Sequence, residues 1–410
     1  MSIAPLEGIR VLDLTIVLAG PTCGRTLAQY GAEVIKIDPE NRRPQLAQWL
    51  DVSRGKKSVS LNLKKPGGKE AFLRLAKTAD VILEGFRKGT TDRLGIGYED
   101  IKKINPKLIY ASINCYGHKG PWQLRPGFEQ NAQSVTGIQM RNGSSKTGPR
   151  AATYTLNDYG TGLAAAYGVM LALLERNKTN KGKHLGASLV TTSTFITGPY
   201  AVNYKNMPTN TDLGGPGLRG RNSLCRLYEC KNNKDWIFIK IRNDEQWFNL
   251  CNMNEFKDLK NNNLFSSINL RNKNDKQLSL ILEIIIKTKE STEWLNKFKS
   301  SKIPAIKNTL SQDIHSSSYN VSRKMIVSKD FSNNENILYK EWGKTTWSGN
   351  PTLMTNYDTP EINPVMFSEN TSEILKEIGL TNKDILEMKT LGAIPKEEML
   401  PFSKDSSEPL

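Results

Sequence analysis

The N-terminal region of the chain places a glycine-containing turn between two strand-like segments. Gly8–Thr15 and Ala32–Asp38 have the composition of buried strands, and Ala19-Gly20-Pro21 lies in the turn that follows the first of them. Strand, glycine-rich turn, short helix and strand is the order of an α/β nucleotide-binding unit. The turn lacks the G-x-G-x-x-G spacing of a dinucleotide site. We therefore expect this layout to hold a different ligand.

Further strand candidates continue the alternation towards Ser112, and they define the predicted fold class. The candidates are Ile9–Leu14, Glu33–Asp38, Ser58–Leu63, Val81–Phe86 and Leu108–Asn114, with Lys69–Lys77 as the clearest intervening helix. Apolar strands separated by helices indicate a parallel sheet that is covered on both faces. The prediction is an α/β protein with a Rossmann-like large domain.

A second domain is expected in the C-terminal half of the chain. Strand candidates at Cys225–Cys230 and Trp236–Ile241, and helix candidates at Leu278–Lys287 and Thr292–Lys299, indicate a smaller α+β domain. Two short helices are expected within Glu369–Gly392. We divide the chain into residues 1–222 (the N-terminal part of the large domain), 223–325 (the small domain) and 326–410 (a return segment that completes the large domain).

Composition excludes several classes of protein. The net charge of +16 suits nucleic acid or a small polyanion such as a phosphorylated cofactor. No basic stripe is interleaved with aromatic residues, so we expect no nucleic-acid partner. No apolar run is long enough for a membrane helix, and no secretory signal is visible. Five scattered cysteines give neither a disulfide framework nor a zinc pattern, which favours a reducing cytoplasm and no metal.

Asp158 and Glu129 are the carboxylates with the clearest chemical potential. Asp158 precedes a long helix candidate, Gly162–Arg176, where the helix dipole would favour its ionised form. An ionised carboxylate in a partly dry pocket can act as a nucleophile towards an activated carbonyl. Spacing alone favours the alternative that Asp158 is a helix N-cap, since aspartate is among the preferred capping residues. Glu129 either orients reacting groups or is an ordinary first-turn carboxylate of a helix.

Two other features remain open from the residues alone. Gly214, Gly215 and Gly217 could form a flap over an intermediate, because glycine lets the backbone approach a ligand closely, or they could be a plain linker. His118 and His184 have no neighbouring ligand pattern, and we expect them to be structural or solvated.

Several segments together resemble the class III CoA-transferase family (CaiB/BaiF type), which includes formyl-CoA transferases and α-methylacyl-CoA racemases. The segments that carry the resemblance are Pro5–Leu14, Val17–Pro21, Gly31–Ile37, Lys57–Leu63, Ala79–Phe86, Asp92–Tyr98, Asn105–Ile113, Gly117–Pro121 and Glu369–Leu380. The similarity covers nearly the whole chain, is specific in the first 190 residues and is weak at about 245–300.

The resemblance implies a ligand, an assembly and a set of site residues. The ligand is coenzyme A, and the assembly is an interlocked homodimer whose subunits each have the small domain inserted into the large one. Asp158, in Leu156–Gly162, falls on the catalytic aspartate of the family, which forms an anhydride with the acyl group and then an aspartyl-CoA thioester. The implied coenzyme A contacts are Val17, Leu18, Lys57, Phe86 and Arg93, and the implied flap is Gly214, Gly215 and Gly217.

Departures from the family pattern refine the expected reaction. Racemase members have a catalytic histidine where this chain has Phe128, which cannot transfer a proton. Formyl-CoA transferases have glutamine in place of Leu18 and tyrosine in place of Phe128, so formyl or oxalate specificity is not expected. A family asparagine is replaced by Gly85. Lys57 belongs to a Lys56-Lys57 pair in which either residue could match the family lysine.

The expected function is transfer of CoA from an acyl-CoA to a carboxylic acid by a cytoplasmic homodimer. Two alternatives remain at this point. One is an acyl-CoA racemase or isomerase, and the other is a non-catalytic acyl-CoA-binding protein that kept the scaffold.

Overall fold

Six parallel strands form the central sheet. They are β1 (Arg10–Asp13), β2 (Glu33–Asp38), β3 (Lys56–Ser60), β4 (Val81–Glu84), β5 (Ile109–Asn114) and β6 (Lys183–Ser188). Their spatial order is β3-β2-β1-β4-β5-β6, and every neighbouring pair is parallel. The computed structural model describes residues 4–40, 44–207, 218–357 and 362–399. The α/β prediction is confirmed, and the sheet is consistent with a Rossmann-like domain.

Helices that lie between these strands or follow the last of them cover both faces of this sheet. They are α1 (Ala19–Gln29), α2 (Leu46–Val52), α3 (Pro66–Thr78), α4 (Thr90–Leu94), α5 (Tyr98–Ile104), α6 (Glu129–Val135), α7 (Ile138–Asn142), α8 (Leu156–Thr179), α9 (Leu189–Ile196) and α10 (Gly198–Ala201). Side chains alternate along each strand, so Leu12 and Ile35 pack in one core while Val11 and Val34 pack in the other. Helices α1 and α8 cover the second core.

The strand β6 and the start of α9 were not distinguished in the sequence. Leu185–Ile196 is a single apolar stretch of the sequence, and the structure divides it between the two elements. Ser188 accepts a hydrogen bond from the backbone N–H of Thr191 through its side chain and so caps α9. Periodicity alone does not separate a short buried strand from a helix.

The C-terminal part of the chain returns to the first core. It contains β11 (Ile326–Asp330), α16 (Ile337–Lys340), β12 (Lys344–Ser348), α17 (Thr371–Glu377) and α18 (Asn382–Thr390), numbered after the elements of the other unit. Ile374 and Leu375 are fully buried in the same core as Leu12. Together, Met1–Thr211 and Lys324–Leu410 form one compact unit.

Asp212–Arg323 forms the second unit, which has its own core. It contains β7 (Gly220–Asn222), β8 (Cys225–Glu229), β9 (Trp236–Lys240), α11 (Asp244–Cys251), α12 (Ile268–Lys273), α13 (Asp275–Ile286), α14 (Ser291–Ser300), β10 (Ala305–Lys307) and α15 (Ser318–Ser322). The strands form an antiparallel sheet in the order β10-β9-β8-β7. Trp294 and Phe298 stack at 5.3 Å in its interior. Across the described ranges of both units, no helix has the length and apolar character needed to span a membrane.

Candidate active site

A cleft of about 300 Å³ opens beside the carboxyl ends of β1, β4 and β5. The strand order reverses between β1 and β4, and a crevice at such a switch point is the usual ligand site of an open α/β sheet. The lining residues come from the segments that follow these three strands and from two helix starts. They are residues 15–20, 85–87, 113–116, 123 and 125–128, with Asp158 and Leu189.

A buried ion pair holds the loop that follows β1. Asp13 Oδ1 accepts a hydrogen bond from the backbone N–H of Thr15 at 3.0 Å, and its Oδ2 lies 2.8 Å from Lys56 Nζ. Lys56 also donates to the carbonyl oxygen of Pro21 at 2.9 Å. Val17, within this loop, has a φ of 68°, a left-handed conformation that is costly for a β-branched residue. The ion pair fixes the ends of a strained loop that lines the cleft.

Close packing of α8 against α1 brings the first turn of α8 to the cleft. A Cβ atom at Gly162 would lie 2.5 Å from the carbonyl oxygen of Ala19 and 2.6 Å from Thr22 Cβ. Only glycine permits the two helices to approach so closely at this point. The adjacent Tyr159 donates from its hydroxyl group to Asp51 Oδ2 at 2.7 Å, which anchors the other side of the same turn.

Glu129, the first residue of α6, binds the N-terminal end of α8. Its Oε2 atom accepts a hydrogen bond from the backbone N–H of Asp158 at 2.8 Å, and its Oε1 atom accepts from Asn157 Nδ2 at 2.8 Å. Gln133 Nε2 donates to Oε1 at 2.9 Å. Glu129 is buried. This carboxylate therefore satisfies a free donor of the helix end, the task that capping side chains usually perform.

The predicted N-cap role of Asp158 is wrong. Helix α8 begins at Leu156 with Thr155 as the N-cap residue, so Asp158 lies inside the first turn. In the described part of the chain, the Asp158 carboxylate accepts no hydrogen bond, although it is buried and lines the cleft. The N–H of Asp158 is bound by Glu129, a residue 29 positions away in the sequence.

The expectation that its surroundings favour ionisation of Asp158 is also wrong. Burial, followed by the negative charge of Glu129, raises the pKa of Asp158 from 3.8 to about 7. Glu129 occupies the donors that could otherwise stabilise the charged form. At neutral pH, the protonated and the ionised forms of Asp158 are therefore both populated, a property that marks it as a candidate functional residue.

The structure brings some of the sequence-predicted contacts together and leaves others apart. Val17, Leu18 and Phe86 line the cleft with Asp158. Lys57 is outside the described lining of this cleft and forms ion pairs with Glu33 at 3.2 Å and Glu373 at 3.0 Å. Its neighbour Lys56 forms the buried ion pair with Asp13.

Arg93 and the glycine segment differ from the other predicted contacts. Arg93 is also outside the described lining, and its Nη2 atom donates to Thr90 Oγ1 at 3.2 Å. Gly214, Gly215 and Gly217 lie outside the described residues.

Sequence reasoning missed two cationic residues of the cleft. Arg87 lies three residues beyond the end of β4, and Arg125 precedes the segment Pro126-Gly127-Phe128. The signal for Arg87 is its place just beyond a parallel strand, where ligand-binding side chains gather. Arg125 lies in a long connection between β5 and α6, and its position in the cleft depends on how that connection folds.

Cys115 and His184 lie in surroundings that are typical of structural residues. Burial raises the pKa of the Cys115 thiol to about 11, so this lining residue stays protonated at neutral pH. His184 Nε2 lies 2.9 Å from Ser112 Oγ, and its ring stacks on Tyr98 at 5.1 Å. No group of three or more His, Cys, Asp or Glu side chains converges on a metal-sized site within the described residues.

Curated proteins of known activity are similar to this chain. Human succinyl-CoA:glutarate CoA-transferase is 28% identical over 414 residues, covering 97% of this chain and 91% of that protein. The β subunit of succinyl-CoA–L-malate CoA-transferase from Chloroflexus aurantiacus is 39% identical over 198 residues, 45% of this chain and 49% of the subunit. Human α-methylacyl-CoA racemase is 35% identical over 192 residues, 47% of this chain and 50% of the racemase.

A solved structure and a family profile agree with these similarities. A CaiB/BaiF family protein from Brucella suis aligns with a TM-score of 0.80 and 25% identity, over 92% of this chain and 99% of that one. The sequence profile described as CoA-transferase family III matches residues 6–363. The chain is therefore an enzyme that belongs to CoA-transferase family III.

Proposed function

We propose that this enzyme moves CoA from an acyl-CoA to a free carboxylic acid, with Asp158 as the nucleophile. Membership of the family implies coenzyme A as a substrate. The observation that carries the proposal is the carboxylate of Asp158, which lines the cleft, accepts no hydrogen bond in the described chain and has a pKa of about 7. Once ionised, such a group has lone pairs available to attack a thioester.

The reaction proceeds through covalent intermediates on Asp158. A carboxylate oxygen attacks the thioester carbonyl carbon, the C–S bond breaks, and CoA leaves as the thiolate. The thiolate then attacks the Asp158 carbonyl carbon of the resulting anhydride, which releases the donor acid and forms an aspartyl-CoA thioester. The acceptor carboxylate repeats the sequence in reverse and regenerates the free carboxylate. No step requires a net proton transfer, and each has a lower barrier than direct acyl exchange.

Several described residues support this course. Glu129 is a positioning residue, because it holds the backbone of Asp158 without touching the reacting atoms. Val17, Leu18 and Phe86 are proposed coenzyme A contacts on the strength of their place in the cleft. Lys57 and Arg93 remain predicted contacts that would have to reach the coenzyme outside the described cleft. The flap role of Gly214, Gly215 and Gly217 likewise remains a prediction.

Transfer is a better match for this site than racemisation. Racemisation at the α-carbon needs a proton donor and a proton acceptor on opposite sides of the substrate. Phe128, at the position of the racemase histidine, lines the cleft and is largely exposed, but its side chain carries no titratable group.

The acid substrates proposed for first trial are dicarboxylic acids. The curated relatives that match most of this chain include transferases named for succinyl-CoA and glutarate. These names supply candidate donor and acceptor classes.

The assembly is proposed to be an interlocked, cytoplasmic homodimer in which 223–325 is inserted into the large domain. Apolar side chains that are exposed on α8 support this proposal, because a second copy of the chain would bury them. They are Leu163, Tyr167, Leu171 and Leu174. They lie on the side of α8 away from Ala165 and Val169, which are buried in the core. All five cysteines are free, in agreement with a reducing compartment.

The decisive experiment combines product analysis with trapping. The enzyme is incubated with an acyl-CoA and an unlabelled acid, and mass spectrometry detects the new CoA ester. Hydroxylamine added during turnover should modify Asp158, because an activated carboxyl group forms there. Asp158→Ala should lose at least about three orders of magnitude of turnover. Full activity of that variant, or hydroxylamine modification at another residue, would contradict the proposal.

A further inference from the structure

The guanidinium group of Arg125 is held on an aromatic ring at the cleft. It lies 4.9 Å from the centroid of the Trp122 ring, and the Arg125 backbone N–H donates to the Trp122 carbonyl oxygen at 2.9 Å. Trp122 meets Tyr116, another lining residue, edge-on at 5.5 Å. Stacking on an aromatic face leaves the in-plane donors of an arginine free for a ligand.

Arg125 has no carboxylate partner in the described part of the chain, although it lines the same cleft as Asp158. The charged side chains that line this cleft are Arg87, Arg125 and Asp158, so positive charge exceeds negative charge. A guanidinium group without a partner carboxylate is a ready site for an anionic group of a substrate.

The segment between Arg125 and Glu129 is fixed at several points. A Cβ atom at Gly127 would lie 2.6 Å from Cys115 Sγ and 2.7 Å from Tyr116 Cε2, so the segment packs tightly on the end of β5. The Phe128 backbone N–H donates to Asn131 Oδ1 at 2.9 Å. Because Glu129 in turn binds the backbone of Asp158, a series of packed and hydrogen-bonded residues links the segment after Arg125 to the first turn of α8.

We propose that Arg125 binds the distal carboxylate of a dicarboxylic acyl group while the other carboxyl group reacts at Asp158. This inference rests on the proposed function and names the residue that selects the acid. The distal carboxylate stays charged through every covalent step, and its removal from water is costly without a cation. A planar guanidinium group can meet a carboxylate with two parallel hydrogen bonds, which also fixes the acyl chain along the cleft.

Matched acids test the proposal. With one acyl-CoA donor, kcat/KM is measured for glutarate and for pentanoate, which have the same chain length and differ in the second carboxyl group. The wild type should prefer glutarate. Arg125→Met should lower kcat/KM for glutarate roughly 10- to 100-fold, the usual effect of losing a charge-assisted pair, and change the pentanoate value much less. Arg125→Lys should recover part of the loss.

A control variant separates local from general charge effects. Arg74→Met removes the same charge from α3, where Arg74 pairs with Glu70 away from the described lining of the cleft. This variant should leave kcat/KM unchanged for both glutarate and pentanoate. An equal loss for glutarate and pentanoate in Arg125→Met would overturn the proposal, because a contact to a coenzyme A phosphate affects every acid alike. Transfer of CoA to both acids by the wild type without a preference for glutarate would overturn it too.

Binding measured without turnover distinguishes this inference from the proposed function. Glutarate is titrated into the wild type and into Arg125→Met by calorimetry. If the wild type transfers CoA to neither acid but binds glutarate at least tenfold more tightly than Arg125→Met, the proposed function fails and the role of Arg125 stands. Equal glutarate affinities would remove the role of Arg125 whatever the catalytic result.

Discussion

The Oε2 atom of Glu129 lies 2.8 Å from the backbone nitrogen of Asp158, so one carboxylate holds the main chain of the other. The contact joins the start of α6 to the first turn of α8. It fixes the backbone of Asp158 while its negative charge raises the pKa of the Asp158 side chain. Positioning and electrostatic tuning of the proposed nucleophile thus come from the same residue.

Replacement of Glu129 by glutamine should shift the pH profile. In the proposed mechanism Asp158 reacts when ionised, so kcat/KM of the wild type should rise through about pH 7, the pKa of Asp158. Glu129→Gln removes the repulsive charge and should move this limb to lower pH by about one unit. Burial remains the larger cause, so the limb should stay above pH 4. The measurement is kcat/KM from pH 5 to 9.

The same variant should also lower kcat at high pH roughly tenfold, because the amide offers one acceptor oxygen where the carboxylate offered two. Glu70→Gln, which removes an exposed carboxylate on α3, is the matched control. It should change neither the pH dependence of kcat/KM nor the value of kcat at high pH. A pH limb that stays at about 7 in Glu129→Gln would show that Glu129 does not tune Asp158.

Removal of the Asp158 charge should stabilise the fold at high pH. The folded-state pKa of about 7 exceeds the ordinary value of 3.8, so the folded protein binds more protons than the unfolded chain between these values. The contribution of Asp158 to the free energy of unfolding therefore falls as the pH rises from about 4 to 7. Above pH 7 this contribution no longer changes with pH. Asp158→Asn should raise the free energy of unfolding at pH 8 by up to about 4 kcal/mol and leave it unchanged near pH 4.

Urea unfolding at the two pH values checks this expectation. A gain in stability that is accompanied by loss of turnover is the trade-off typical of a reactive site. Destabilisation of Asp158→Asn at pH 8 would mean that the ionised side chain has favourable partners, contrary to its surroundings in the cleft.

Disruption of the buried ion pair beneath the β1 loop should be costly. Lys56→Met removes the ion-pair partner of the fully buried Asp13 and should lower the free energy of unfolding by about 3–5 kcal/mol. Lys57→Met, at the next position, breaks only partly exposed pairs and should cost less than about 1 kcal/mol. Chemical denaturation of the two variants compares them directly. Similar losses would contradict the different burial of the two lysines.

Gly162→Ala should separate α8 from α1 at the cleft. The added methyl group would meet the Ala19 carbonyl oxygen and Thr22, both fixed parts of α1. We expect a loss of about 1–3 kcal/mol in unfolding free energy and a higher KM for acyl-CoA, since the helix start that carries Asp158 must move. Gly168→Ala, where the nearest atom would be 3.5 Å away, is the matched control on the same helix. Equal behaviour of the two variants would show that the helices adapt without cost.

Local sequence signals were sufficient for most of the sheet and for the candidate nucleophile. Val81–Phe86 and Glu33–Asp38 were recognised as strands because runs of apolar residues between turn signals are a local property. Asp158 was recognised through the segment around it. The sixth strand was missed, because Lys183–Ser188 carries charged and small residues and gains its strand character from pairing with β5.

The amino-acid sequence by itself determined the α/β class, the order of the strands along the chain and the residues that could attack a thioester. Only the tertiary structure decided that Glu129 binds the backbone of Asp158, that Lys56 forms an ion pair with Asp13 and that Arg125 shares a cleft with the proposed nucleophile. The physical reason is that strand formation and residue chemistry depend largely on near neighbours. A carboxyl pKa, a buried ion pair and a ligand cleft depend on groups that are distant in the chain and meet only when the sheet is assembled.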